Sequence, residues 1–361
     1  MKKVISWTLA CLVFVACRTD RPEFYRSGRT ILRSSGAIEL ISSGSSVEFL
    51  FSGDSAIVSL SGLAGAADHN YVVAELDGAY YGRFKISTSD PASFVFKAAS
   101  DKERHELKII RATEASNGVV VFHAARAEKI FVPDAKSGPR IEFIGNSITA
   151  AMGADTTEIS CGGGSKWYDQ HNAYYSYAAL TARALNAEYM LSAISGAGVY
   201  RNWNSDGPAV PQQYESAYLR ADSIQRWNFD SWKPNIVTIA LGTNDMSPGD
   251  GKKTRAAFDS ARFISAYTDF IRTISAYYPE SQIVLLTSPM MSGKRGQTLL
   301  GCLQQIRLKC MNERITADPL LIFEFREMKA TGCTGHPLTA EHRLMADQLI
   351  SFLRLVIDGK I

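Results

Sequence analysis

The chain has 361 residues, long for one domain and comfortable for two. Hydrophobic residues make up 46% and charged residues 21%, which disfavours a disordered, collagen-like or coiled-coil chain. Lys and Arg total 39 against 36 Asp and Glu, a formal +3 without the one-signed surplus of a phosphate-binding surface, so nucleic acid is not an expected partner.

The N-terminus begins with Met1, Lys2 and Lys3 and continues in an apolar run from Val4 to Ala16, too short to span a bilayer as a helix and suited to export. The run ends in Phe14-Val15-Ala16-Cys17, which resembles a bacterial lipoprotein signal. That resemblance implies a signal peptide over 1–16, a lipidated Cys17, a polar tether over 17–30 and an envelope lipoprotein of the outer membrane surface or periplasm. An ordinary cleaved signal peptide is the alternative.

Residues 46–51, 56–60, 71–76, 79–86, 93–97, 105–111 and 119–124 are rich in Val, Ile, Phe and Tyr and read as short strands. Asp77-Gly78 and Asn117-Gly118 lie between such runs and tolerate the positive φ of tight hairpin turns. The pattern predicts an antiparallel β-sandwich over 31–135. Past the Pro- and Gly-containing stretch 133–139, strands at 140–144, 187–192, 235–241, 282–287 and 320–325 alternate with helices at 174–185, 256–277, 299–314 and 339–356. Alternation of this kind predicts a parallel sheet covered by helices over 139–361, with ligands bound beyond the carboxyl ends of its strands.

With Cys11 in the signal and Cys17 lipidated, Cys161, Cys302, Cys310 and Cys333 remain in a compartment where disulfides persist. Cys302 and Cys310 are separated by about 12 Å along a helix, beyond the roughly 7 Å limit for bridged Cα atoms. Cys161 with Cys333 is the favoured pair, and four free core thiols the alternative.

Four polar stops follow predicted strands. Gly145-Asn146-Ser147-Ile148-Thr149 presents a serine where a strand turns toward a helix. The stretch 191–198 carries Gly196, where a backbone N–H can approach a ligand closely. Leu241-Gly242-Thr243-Asn244-Asp245 offers an amide donor, with Asp245 expected to fix the turn that aims it. Gly332-Cys333-Thr334-Gly335-His336-Pro337 places a histidine before the final helix. Each stop alone reads as an ordinary turn or cap; their occurrence in this order at successive strand ends is what carries weight.

The set resembles the SGNH or GDSL hydrolase superfamily, and more finely carbohydrate esterase family two, over nearly the whole mature length. The resemblance implies an all-β jelly-roll sandwich followed by a flavodoxin-like, three-layer α/β hydrolase domain. It implies a carbohydrate O-acetyl esterase in which Ser147 attacks, His336 is its base, and Ser147, Gly196 and Asn244 hold the oxyanion. Two positions depart from the superfamily pattern. Cys333 stands where many members have the Asp that orients the histidine, so a Ser-His dyad with His336 oriented by a backbone carbonyl is expected. Asn146 stands where many have Asp. His342, inside the last helix, is expected to pack rather than act as base. Tyr200, Trp203 and Trp167 are candidate sugar platforms. His69, His105, His123 and His171 show no ligand spacing, and neither a metal nor a cofactor is expected. The expected partners are an acetylated oligo- or polysaccharide and, through the lipid anchor alone, a membrane; a monomer is expected. An SGNH lipase, thioesterase or aryl-esterase, or a glycan-binding surface lipoprotein with a degenerate hydrolase domain, are the competing readings.

Overall fold

The computed structural model describes residues 24–63, 68–87, 89–99, 102–134 and 136–361. The expected signal peptide, Cys17 and the first residues of the tether lie outside the described residues.

The chain starts with β1 (Tyr25–Ser27), β2 (Thr30–Leu32), β3 (Ile38–Leu40), β4 (Ser46–Ser52) and β5 (Ser55–Leu63), and continues with β6 (Asn70–Leu76), β7 (Ala79–Ile86) and β8 (Ala92–Lys97). β9 (His105–Arg111), β10 (Val119–Arg126) and β11 (Lys129–Phe131) complete two antiparallel sheets. One runs β1-β4-β9-β6-β7 with β11 also on β4; the other runs β2-β3-β10-β5-β8. Alternate residues such as Val47, Phe49, Phe51, Leu107, Ile109, Val120 and Phe122 fill the space between them. The sandwich begins earlier than the sequence suggested: Tyr25–Ser27 pairs with β4 and Thr30–Leu32 with β3, so residues 25–30 are not tether. Such three-residue edge strands carry too little pattern to be read beforehand.

Asp77 and Gly78, at φ 53 and 80, form the expected hairpin between β6 and β7. Asn117-Gly118 does not. It closes a short 3-10 turn, Ala115–Asn117, on the crossing from β9 in one sheet to β10 in the other.

The second domain holds β12 (Arg140–Gly145), α1 (Tyr177–Ala184), β13 (Glu188–Ala193), α2 (Val210–Tyr214), β14 (Ile236–Ile239), α3 (Ser260–Tyr277), β15 (Gln282–Leu286), α4 (Gly293–Asn312), β16 (Leu321–Phe323) and α5 (Thr339–Ile357). The five strands are parallel, in the order β13-β12-β14-β15-β16. One face packs on α3 and α4 through Phe263, Tyr267, Ile271, Leu299 and Leu303. The other packs on α1 and α5 through Tyr177, Ala178, Met345 and Leu349. The chain leaves β12 first to one side, into β13, and then to the other, into β14, which opens a crevice at the carboxyl edge beside β12.

The domains meet over polar groups removed from water. Arg29, between β1 and β2 of the sandwich, is fully buried. Its guanidinium donates to the carbonyls of Tyr214 (2.8 Å) and Ser216 (2.7 Å) and to Ser192 Oγ (3.3 Å), and lies 3.8 Å from Glu142 on β12. Glu142 is also buried and accepts from Ser192 Oγ at 2.5 Å and the Tyr214 hydroxyl at 2.9 Å; burial raises its pKa above the usual carboxylate value, against the pull of Arg29. Removing one partner of a buried ion pair strands the other charge in low dielectric. Arg29→Ala should therefore destabilise the protein by about 3–5 kcal/mol, measured by urea unfolding at pH 7, whereas Arg29→Met with Glu142→Leu should recover most of that loss.

Candidate active site

Ser147 follows β12 within the tight turn 145–149. Gly145 is obligatory there, because a Cβ would lie 2.1 Å from Thr149 Oγ1, which is itself held at 3.0 Å from the Tyr177 hydroxyl. Asn146 closes the turn by accepting from Ile148 N through Oδ1 at 3.2 Å. An Asp would make the same bond, so the departure at Asn146 leaves the turn intact.

His336 reaches this turn from 189 residues away: its Nε2 lies 2.8 Å from Ser147 Oγ. The tautomer follows from the other nitrogen. Thr334 Oγ1 donates to the Cys333 carbonyl at 2.7 Å, which leaves its lone pairs to accept from His336 Nδ1 at 3.0 Å. Nδ1 then carries the proton, and Nε2 is bare and faces the serine hydroxyl. The expected backbone-carbonyl orientation is thus supplemented by a threonine side chain two residues before the histidine. Burial lowers the pKa of His336 below its ordinary value, while the carbonyls of Thr334 and Cys333 oppose that shift. The imidazole is neutral at pH 7 and able to take a proton. Thr334 adopts φ 55, a left-handed conformation that costs a β-branched residue on the order of 1–3 kcal/mol.

Two anchors hold the histidine loop. Cys333 N donates to Gly153 O at 3.0 Å, and Cys333 is bridged to Cys161, with Cα atoms 5.4 Å apart. Cys302 and Cys310 are free and buried in α4.

Gly196 follows β13 and Asn244 follows β14, so the two flank Ser147 at the carboxyl edge. Asn244 Nδ2 donates one hydrogen to Ala197 O at 2.8 Å, which leaves the second for a ligand. Among the described residues, the backbone N–H groups of Ser147 and Gly196 have no protein acceptor.

Asp245 does something other than fix the Asn244 turn. Its carboxylate accepts from Val199 N, Tyr200 N and Arg201 N, so it organises the neighbouring loop that follows Gly196. Gly198 is required against it: a Cβ would come within 2.5 Å of Asp245 Oδ2. Burial raises the pKa of Asp245, and the backbone donors oppose the rise.

Trp203 is half exposed and its N–H donates to Gly196 O at 2.8 Å, which ties the ring's backbone to the oxyanion turn. Trp167 is also half exposed, edge-on to His171 at 5.0 Å. Tyr200 is committed elsewhere: its ring packs on Phe258 and Phe263, and its hydroxyl accepts from Asp259 N at 3.1 Å. These contacts hold the partly buried ring against the start of the third helix. His342 is fully buried, accepts from Tyr177 N at 3.1 Å and stacks on the Tyr177 ring; burial and the nearby His336 push its pKa down to about 3.

The other histidines have carboxylate or hydroxyl partners, or none. His69 meets Asp169 at 2.6 Å, His105 meets Asp77 at 2.8 Å and His123 meets Ser61 at 2.8 Å, while His171 is buried with neither ring nitrogen partnered. Among the described residues, no group of three or more His, Cys, Asp or Glu is placed to hold a metal ion.

A serine hydroxyl against a bare imidazole nitrogen, beside free backbone N–H groups at a sheet switch point, defines the site of a serine acyl-hydrolase. Residues 143–315 match the GDSL-like lipase/acylhydrolase family, and residues 26–133 match the carbohydrate esterase 2 N-terminal domain. The chain thus carries a GDSL-like lipase/acylhydrolase domain behind a carbohydrate esterase 2 N-terminal domain. It is 29% identical over 343 residues to cellulase/esterase CelE of Acetivibrio thermocellus, covering 93% of this chain and 40% of that protein, so it spans less than half of that relative's length. It is 26% identical over 262 residues to an acetylxylan esterase / glucomannan deacetylase of Cellvibrio japonicus, covering 71% and 70% of the two chains. A family two carbohydrate esterase from Clostridium thermocellum, solved with cellohexaose, superposes with a TM-score of 0.82 at 28% identity, over 94% of this chain and all of that one.

The bridge closes a large loop yet carries no reacting atom. Replacing both Cys161 and Cys333 by Ala should remove on the order of 2–5 kcal/mol of stability and lower the thermal midpoint by several degrees. Turnover per folded molecule should fall less than about tenfold, because the Cys333 backbone contacts survive; calorimetry and rate measurements at 25 °C check both halves.

Proposed function

We propose that the protein is a carbohydrate O-acetyl esterase that removes acetyl groups from glycans through an acyl-serine intermediate. The observation that carries this reading is the 2.8 Å contact between Ser147 Oγ and His336 Nε2. Ser147 Oγ attacks the acetyl carbonyl as His336 Nε2 takes its proton, and the carbonyl electron pair moves onto oxygen. The N–H groups of Ser147 and Gly196 and the free Asn244 amide hydrogen are the donors for that oxyanion. Collapse returns the proton from His336 to the departing sugar oxygen. Water then attacks the acyl carbon with His336 as base, releasing acetate. Support for a sugar alcohol comes from the relatives named for acetylxylan and glucomannan deacetylation and from the half-exposed Trp203 and Trp167. We infer further that the protein is exported and held to the bacterial envelope by lipid on Cys17, a reading that rests on the N-terminal sequence alone.

Ser147→Ala should lose at least about 10⁴-fold in 4-nitrophenyl acetate hydrolysis and should release no acetate from acetylated xylan or glucomannan. Equal slow hydrolysis by both proteins would favour a glycan-binding module. The base works only when neutral, and its pKa lies below 6.5 in the folded protein, so kcat/KM should be full at neutral pH and fall on acidification with an apparent pKa under 6.5. Loss of the hydrogen bond in Thr334→Val should cost about five- to tenfold in kcat, and Thr334→Asp should move the acid limb to higher pH by stabilising the imidazolium.

A further inference from the structure

Glu114 belongs to the sandwich, yet its side chain ends in the hydrolase. Its backbone is pinned from below by Arg111, the last residue of β9. The buried Arg111 guanidinium donates to the carbonyls of Leu40 (2.7 Å), Ile41 (2.7 Å), Glu114 (2.5 Å) and Gly118 (2.8 Å), and to Asn70 Oδ1 (3.1 Å). These bonds tie the crossing between the two sheets together and hold the Glu114 backbone on the sandwich. From there the carboxylate accepts from Ser116 Oγ at 2.5 Å through Oε1, and from both Ser195 N (3.1 Å) and Ser195 Oγ (2.6 Å) through Oε2.

Ser195 immediately precedes Gly196. Gly196 sits at φ 75, and no atom would lie within 4 Å of a Cβ placed on it, so its Cα is not closely packed. The direction of the Gly196 N–H is the orientation of that peptide. Contacts on both flanks limit it: Gly196 O, in the peptide that follows, accepts from Trp203 N, and Glu114 holds Ser195 N, in the peptide that precedes, together with Ser195 Oγ. A lone glycine in an open turn samples many backbone states; a donor that must already point at an oxyanion requires that freedom to be removed beforehand.

We propose that Glu114 is a positioning residue that reaches across from the sandwich to fix the Ser195–Gly196 peptide, so that the Gly196 N–H is aimed at the oxyanion. The proposal rests on the esterase reading. It makes the sandwich part of the catalytic machinery rather than only a neighbour of it, and it separates Glu114 from residues that touch substrate.

The test combines turnover of 4-nitrophenyl acetate, normalised to titrated active serines, with inhibition by methylboronic acid. The boron accepts a lone pair from Ser147 Oγ, the hydroxyl proton passes to His336 Nε2, and the resulting tetrahedral adduct places a boron-bound oxygen in the oxyanion position. In Glu114→Ala, kcat should fall about 10- to 100-fold, a part of the loss expected for a missing oxyanion donor. KM should stay within about threefold and the inhibition constant of methylboronic acid should rise in step with the fall in kcat. Glu114→Gln retains an oxygen acceptor for Ser195 and should restore kcat to within about threefold of the parent. If Glu114→Ala does not fold, Ser195→Ala carries the test: it removes one of the two contacts and should lower kcat by about five- to tenfold with the same rise in the inhibition constant. Unchanged kcat per active serine in Glu114→Ala, or in Ser195→Ala where Glu114→Ala does not fold, or a loss in kcat with unaltered boronate affinity, would overturn the proposal and leave the esterase reading standing. A parent protein that neither turns over the ester nor binds methylboronic acid would overturn the esterase reading itself.

Discussion

A carboxylate buried where two domains meet is tolerable only when its oxygens find donors, and this molecule meets that condition repeatedly along one seam. Glu142 of the hydrolase accepts from Ser192 and Tyr214 and faces Arg29 of the sandwich. Asp169 of the hydrolase accepts from the Tyr71 hydroxyl, meets His69 and takes Lys166 N, while its carbonyl accepts from Arg83. Glu114 of the sandwich takes both donors of Ser195. Polar contacts of this kind stabilise a single relative placement of the domains, because any slip leaves charge unpaired away from water.

That seam lies close to the chemistry. Asp169 closes the loop that carries Trp167, and Cys161 just before it is bonded to Cys333 beside the histidine. Ser195 is the residue before Gly196, the glycine proposed to hold the oxyanion. The sandwich therefore grips both of the loops that flank the serine, one on the side of His336 and one on the side of Gly196. The serine itself sits on the shortest support, the turn directly after β12, where Gly145 allows Thr149 to fold back beneath it.

The parts of this arrangement visible in the sequence were those written in local chemistry. The apolar run 236–239 is buried on both faces as a central parallel strand must be, and Ser147, Gly196, Asn244 and His336 each follow a recognisable strand or precede a recognisable helix. The Cys161–Cys333 pairing could be favoured because helical rise excludes Cys302 from Cys310. What escaped is written in distance. Arg29 looked like tether, and its partners Ser192 and Tyr214 lie 163 and 185 positions away. Glu114 and Ser195 are 81 apart and neither sits in a periodic pattern. Asp245 seemed to serve its own turn and serves the loop after β13, whose donors Val199, Tyr200 and Arg201 are brought to it only by the sheet, with β12 lying between the two strands. Thr334 lies one residue past Cys333, which occupies the usual place of the orienting carboxylate; its hydroxyl meets the ring from a left-handed backbone position that no local pattern foretells.

The bridge between Cys161 and Cys333 joins positions separated by 172 residues, and β16, at Leu321–Phe323, adds the outermost strand only shortly before the second thiol is synthesised. During synthesis the first thiol must wait, unpaired, while nearly the whole parallel sheet is laid down. Oxidation thus comes late in assembly. The native bridge cannot close before residue 333 has been made, and a chain interrupted anywhere upstream of it leaves Cys161 without that partner.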